Sequence, residues 1–202
     1  MKKTWKIAVL VLLSGLLFLW GSLLGDRQQL SQKLIRLHVV ANSDSQADQQ
    51  VKRKVRDAIV SCLQPDLAKV STMDQAKAHI AGSLPKLRSV AQQVLRREGF
   101  QHDVQVTLCR EPFSKRHYDT FSLPAGVYQS LRITIGQGAG RNWWCVAFPS
   151  LCLPATSQGF QQAAVEAGLT EGLTDTLRQE EPTLRFFLLD ILGQLENRWF
   201  DR

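Results

Sequence analysis

The sequence predicts an α+β fold: an antiparallel-dominated sheet with amphipathic helices packed mainly on one face, preceded by an N-terminal signal or anchor helix. Three observations point there. Two apolar stripes at helical spacing fill residues 45 to 98, the period switches to two from Val104 onward, and the first 25 residues are a charged cap followed by an apolar run.

The N-terminal run sets the compartment. Lys2, Lys3 and Lys6 form a cationic start, and Ile7 to Gly25 carries no charge. Uncharged apolar side chains are favourable in hydrocarbon, and about 20 of them span a bilayer, so this is a secretory leader or one membrane-spanning helix. The lysines hold the N-terminus inside, which turns residues 26–202 outward as one exported domain. Gly25 is the best small-residue cleavage position. Cleavage there and retention as an anchor, with membrane association through this segment, both fit.

Net charge is +7. Without Lys2, Lys3 and Lys6, 22 of the 25 basic residues face all 18 acidic ones, a balance of +4. That mild surplus suits an anionic membrane or wall and gives no support to nucleic-acid binding.

Leu34 to Ala41 (LIRLHVVA) reads as a strand entering the polar turn Asn42-Ser43-Asp44. Ser45 with Asp48 opens a helix whose stripe is Ala47, Val51, Val55, Ala58, Ile59 and Cys62, ended by Pro65. Its basic face, Lys52, Arg53, Lys54 and Arg56, reads as solvated or as facing an anionic membrane. Thr72 with Gln75 opens a second helix, which Pro85 kinks or splits and Gly99 stops. Val104, Val106 and Leu108 then alternate with Gln105, Thr107 and Cys109, and strands follow over 127–135 and 143–148. The run Gly136-x-Gly138-x-Gly140 precedes a strand pattern instead of a helix, so it reads as a hairpin turn and not a phosphate loop. Residues 156–181 are weakly patterned, a loose or locally helical connection. Pro182 begins the last element, an amphipathic helix over 182–200 with Leu184, Phe187, Leu188, Ile191, Leu195 and Trp199 as its buried stripe.

No residue set forms a recognised catalytic or metal motif, and no cofactor is implied. His38 beside Asn42, Ser43 and Asp44 lies where a strand meets a helix, which suits partner binding better than catalysis. His102-Asp103 and His117-Tyr118-Asp119 read as loop residues. Cys145 and Cys152 flank Pro149 closely enough for a disulfide in an oxidising compartment, while Cys62 and Cys109 read as thiols. Adjacent Trp143 and Trp144 must point to opposite sides of a strand. Trp144 shares its side with Val146 and is expected in the core. Trp143 is expected outside as a binding anchor, with Tyr118 nearby.

The runs IRLHVVANSDSQADQQVKRKVRDAI and YDTFSLPAGVYQSLRITIGQGAGRNWWCVAFPSLC resemble the stage II sporulation protein R family over Ile35 to about Cys152. Ser150 departs from the expected second proline there. The resemblance implies a protein made in the forespore and exported into the intermembrane space, either secreted or held there by an uncleaved helix. Its implied partner is a membrane-embedded receptor protease that matures the mother-cell sigma factor precursor, and its implied role is signalling, not catalysis. A cell-envelope hydrolase using His38, Asp44 or Asp119 is the alternative, disfavoured by the lack of a convergent motif.

Overall fold

A computed structural model describes residues 2–149, 157–179 and 183–200. Helix α1 (Lys2–Lys33) runs unbroken through Gly25. It leads into β1 (Ile35–Val40), α2 (Gln46–Leu67) and α3 (Met73–Arg97). Then come β2 (Val104–Phe113), the short β3 (Arg116–His117) and β4 (Ser122–Leu123), β5 (Gly126–Ile135) and β6 (Asn142–Phe148). Helices α4 (Ser157–Glu166), α5 (Glu171–Arg178) and α6 (Leu184–Phe200) close the chain.

The local signals for α2 and α3 act as the sequence indicates. Ser45 accepts from the Asp48 N–H and Thr72 from the Gln75 N–H, which satisfies an otherwise orphaned donor at each helix start. Gly99 stops α3 at a φ of +81°, a conformation that costs other residues a Cβ clash. Proline is weaker punctuation than expected. Pro65 sits inside the end of α2, and α3 continues through Pro85.

The main sheet has the order β2-β5-β1-β6. It is mixed but mostly antiparallel: β2–β5 and β1–β6 run antiparallel and β1–β5 parallel. Because β1 lies between β5 and β6, the glycine run does not turn a hairpin. It carries the chain across the end of β1 instead. The Asn42 side-chain carbonyl accepts from the Gln137 N–H at 3.1 Å, and the Asp44 carboxylate from the Arg141 N–H at 2.6 Å. The polar turn after β1 therefore fastens this crossing.

Alternation along the strands builds two cores. Ile35, Leu37, Val39, Leu131, Ile133 and Ile135 face α2 and α3, and the helices answer with Val51, Val55, Ile59, Ile80, Leu87 and Leu95. Each such side chain contributes about 1.5–3 kcal/mol on burial. On the other face, Tyr128 and Val146 pack with Leu30 of α1, Leu34 just after it, Phe160 of α4, Leu173 and Leu177 of α5, and Phe186 and Leu189 of α6. Residues 157–178 are thus two short helices with a buried side. Lys52, placed by the sequence on a wet face, is buried, with its ammonium donating to Gln49 Oε1 and the Arg141 carbonyl. Burial and the neighbouring Arg141 push its pKa below the usual lysine value.

Helix α6 is rotated from expectation. Its inward side is Phe186, Leu189, Asp190 and Gly193. Leu184, Phe187, Leu188, Ile191, Leu195 and Trp199, expected in the core, are exposed. The reason lies at Gly193. The helix backbone approaches the Ala125–Gly126 backbone so closely that a Cβ at 193 would overlap the Ala125 carbonyl. Asp190 Oδ1 then accepts from the Ala125 N–H at 2.8 Å. Only this narrow side can dock.

Candidate functional site

The second face of the sheet carries a buried polar and aromatic cluster. In β1, Arg36 and His38 alternate with the apolar positions and point away from α2 and α3, 0% and 4% exposed. Register brings β2, β5 and β6 to the same face through Glu111, Arg132 and Trp144. His38 Nδ1 lies 3.0 Å from Glu111 Oε1, and Arg132 Nη1 donates to Glu111 Oε2 at 3.3 Å. The His38 ring stacks on Trp144 at 3.7 Å, with the Arg116 guanidinium 5.2 Å from that indole. Arg36 lies 4.0 Å over Phe113 and 5.1 Å over Tyr128, and donates through Nη2 to the Tyr118 hydroxyl at 2.8 Å. Such cation–π contacts compensate in part for removing the guanidinium from water.

Burial alone would raise the pKa of Glu111. The neighbouring His38, Ser130 and Arg132 outweigh it, so the carboxyl titrates below its ordinary value. Cys109 occupies the same face, but burial and Glu111 push its thiol up, the opposite of what a nucleophilic cysteine needs. The pair His38–Glu111 has the form of an oriented base with no activated nucleophile beside it. Among the described residues, no three His, Cys, Asp or Glu side chains gather as metal ligands.

The residues singled out from sequence are not brought together. Trp143 lies on the α2 side of β6, 38% exposed, with the Arg56 guanidinium stacked 4.1 Å above its ring. Its neighbours Cys145 and Ala147 are buried against the α2–α3 core, so that side of the strand is not outside. Tyr118 is on the opposite face, half-buried, bonded to Arg36 and stacked on Phe121 at 4.6 Å. Trp144 is half-buried within the polar cluster instead of deep in a core.

Asn42 and Ser43 both donate to the buried Asp48, while Asp44 pairs with Arg141. Burial disfavours the Asp48 anion, yet Ser43, Asn42 and the nearby His102 hold its pKa below the usual range. Asp119 is exposed, and the carboxylate beside His38 is Glu111. Arg36, Glu111 and Arg132 were not singled out. The strict alternation of Arg36 and His38 with Ile35, Leu37 and Val39 was their signal, since it gives two charged residues one common face.

Cys152 lies outside the described residues, so its pairing with Cys145 stays a proposal. Geometry disfavours the competing bridge. Cys62 packs against the α2–α3 core and Cys109 faces the other side of the sheet, which a disulfide cannot span. Peptide mapping of the oxidised protein is expected to return Cys145–Cys152 with Cys62 and Cys109 as thiols. A Cys62–Cys109 bridge with Cys145 unpaired would refute this reading.

Residues 31–158 match the family model described as stage II sporulation protein R. The chain is also similar to stage II sporulation protein R of Bacillus subtilis (strain 168), at 34% identity over 171 residues, covering 79% of this chain and 75% of that protein. No solved structure matches. The match to the family model takes in β1 through β6, and with them every residue of the buried cluster. The chain belongs to the stage II sporulation protein R family.

Proposed function

We propose that this protein is an exported signal that activates a membrane-embedded receptor protease in the mother cell, leading to maturation of the sigma factor precursor there. Membership of its family gives it a role in sporulation. The observation that carries the finer reading is α1. It is long and apolar enough to cross a membrane, and its last turns belong to the folded domain through buried Asp26, Arg27 and Leu30. A domain joined this way to a leader with lysines inside presents itself on the outer side of the membrane. The single exported domain over 26–202, in the space between the two membranes, is part of the same proposal.

For the receptor contact the reading favours Trp143. It is a large aromatic on a rigid strand, partly exposed, with the Arg56 guanidinium stacked on its ring. Asn42, Ser43 and Asp44 are engaged in internal hydrogen bonds and serve that surface indirectly, by holding the glycine crossing in place, while Tyr118 bonds to Arg36 on the other face of the sheet.

The test is co-expression with the receptor and the sigma factor precursor. Processing is expected only when this chain is exported. Trp143→Ala should lower the processed fraction severalfold while leaving the protein folded and exported. Undiminished processing by a cytoplasmic form lacking residues 2–22 would overturn the reading.

A further inference from the structure

The outward face of α6 is a continuous apolar stripe, exposed at the surface formed by the described residues. Leu184, Phe187, Leu188, Ile191, Leu195 and Trp199 are between 37% and 75% exposed, a far larger apolar surface than single exposed side chains make. The two acids of the mid-helix are turned away from it: Asp190 is buried under Ala125, and Glu196 pairs with Arg27. Arg198 is exposed beside the stripe.

The position of α6 identifies what covers that stripe. Arg185 pairs with Asp26, and Glu196 with Arg27. Eleven residues along a helix rise about 16 Å, so two consecutive residues of α1 hold both ends of the α6 segment. The middle of α6 therefore lies beside residues 26–27, where the uncharged run Ile7 to Gly25 ends. In a chain whose α1 enters a bilayer, that level is the headgroup layer. An apolar face edged by a tryptophan and an arginine, with no acid on it, is the composition of a helix lying in that layer.

We propose that α6 lies on the bilayer that α1 enters, its apolar stripe buried among headgroups and upper acyl chains, so that the domain is held at the lipid surface by two elements. This rests on α1 reaching a membrane, as the proposed function requires.

The test uses the full chain reconstituted into phosphatidylglycerol–phosphatidylethanolamine vesicles whose acyl chains carry bromine quenchers. A small fluorescent side chain is placed in turn at position 16 of α1, at 191 of α6, and at exposed Lys86 on the opposite side of the sheet. Emission is expected to be lost at 16 and at 191 and retained at 86. Leu188→Glu combined with Leu195→Glu should restore emission at 191 without moving the melting temperature, because both side chains are exposed. Quenching at 16 but not at 191 would overturn the inference while leaving α1 in the membrane, and would assign the stripe to a protein partner or a second copy. Absence of quenching at both would refute the membrane placement itself.

Discussion

Gly193→Ala is expected to destabilise the domain by about 3 kcal/mol or more, since a Cβ at this position overlaps backbone and not a movable side chain. For a domain of this size that is a fall of roughly 6–12 °C in the melting temperature. The methyl can be accommodated only by lifting α6 from the Ala125–Gly126 turn. That movement breaks the Asp190 bond to the Ala125 N–H and opens the seat of Phe186 and Leu189. Gly82→Ala is the control. It adds the same methyl to a helix where nothing lies within 4 Å, and it should stabilise α3 by about 0.5–1 kcal/mol. Thermal unfolding of the two variants should move in opposite directions. Equal midpoints would show that α6 is not seated as described.

Glu111→Ala should cost about 1–3 kcal/mol, because it leaves buried His38 Nδ1 without its hydrogen-bond partner and Arg132 without its acceptor. Glu111→Gln keeps the volume and a hydrogen-bonding oxygen, and should cost less. The pair also predicts a pH dependence. The folded pKa of Glu111 lies below its ordinary value, 4.5, so its ionisation stabilises the fold above that pH. The contribution is lost as pH falls through the folded value. Asp48 acts with the same sign, from an ordinary value of 3.8. Acid titration of stability should therefore show a decline setting in near pH 4.5, and Glu111→Gln should flatten the part that Glu111 supplies. An unchanged acid limb in that variant would remove Glu111 as its source.

These two sites also mark what was legible in the sequence. Caps, stripes and alternation are local, and Ser45, Thr72, Gly99 and the Val104–Val106–Leu108 face stand where the pattern puts them. A period says which side chains share a face. It does not say which face turns inward. In α6 the most apolar stripe lost to the side that a single glycine allows to approach closest. In β1 the same limit hid a second core, because Arg36 and His38 look like solvent-facing residues until Phe113, Tyr128 and Trp144 arrive from distant strands. Strand order is not local either, so a glycine run with good turn chemistry read as a hairpin although β1 lies between the strands it joins. For the candidate site, Trp143 and the Asn42–Asp44 turn were visible as residues. What each one touches was not.

The central place of β1 has a consequence for the order of events during synthesis and transport. This strand follows α1 directly, yet its partners in β5 lie 94 residues later and those in β6 102–113 residues later, so its backbone groups find partners only after a long loop closes. A chain threading outward from its N-terminus presents β1 first and β6 much later. Until β5 has emerged, the strand Ile35 to Val40 has no partner in the sheet. Under the export proposed above, late pairing keeps this stretch extended, the form a translocation channel accepts, until the sequence through β5 has crossed.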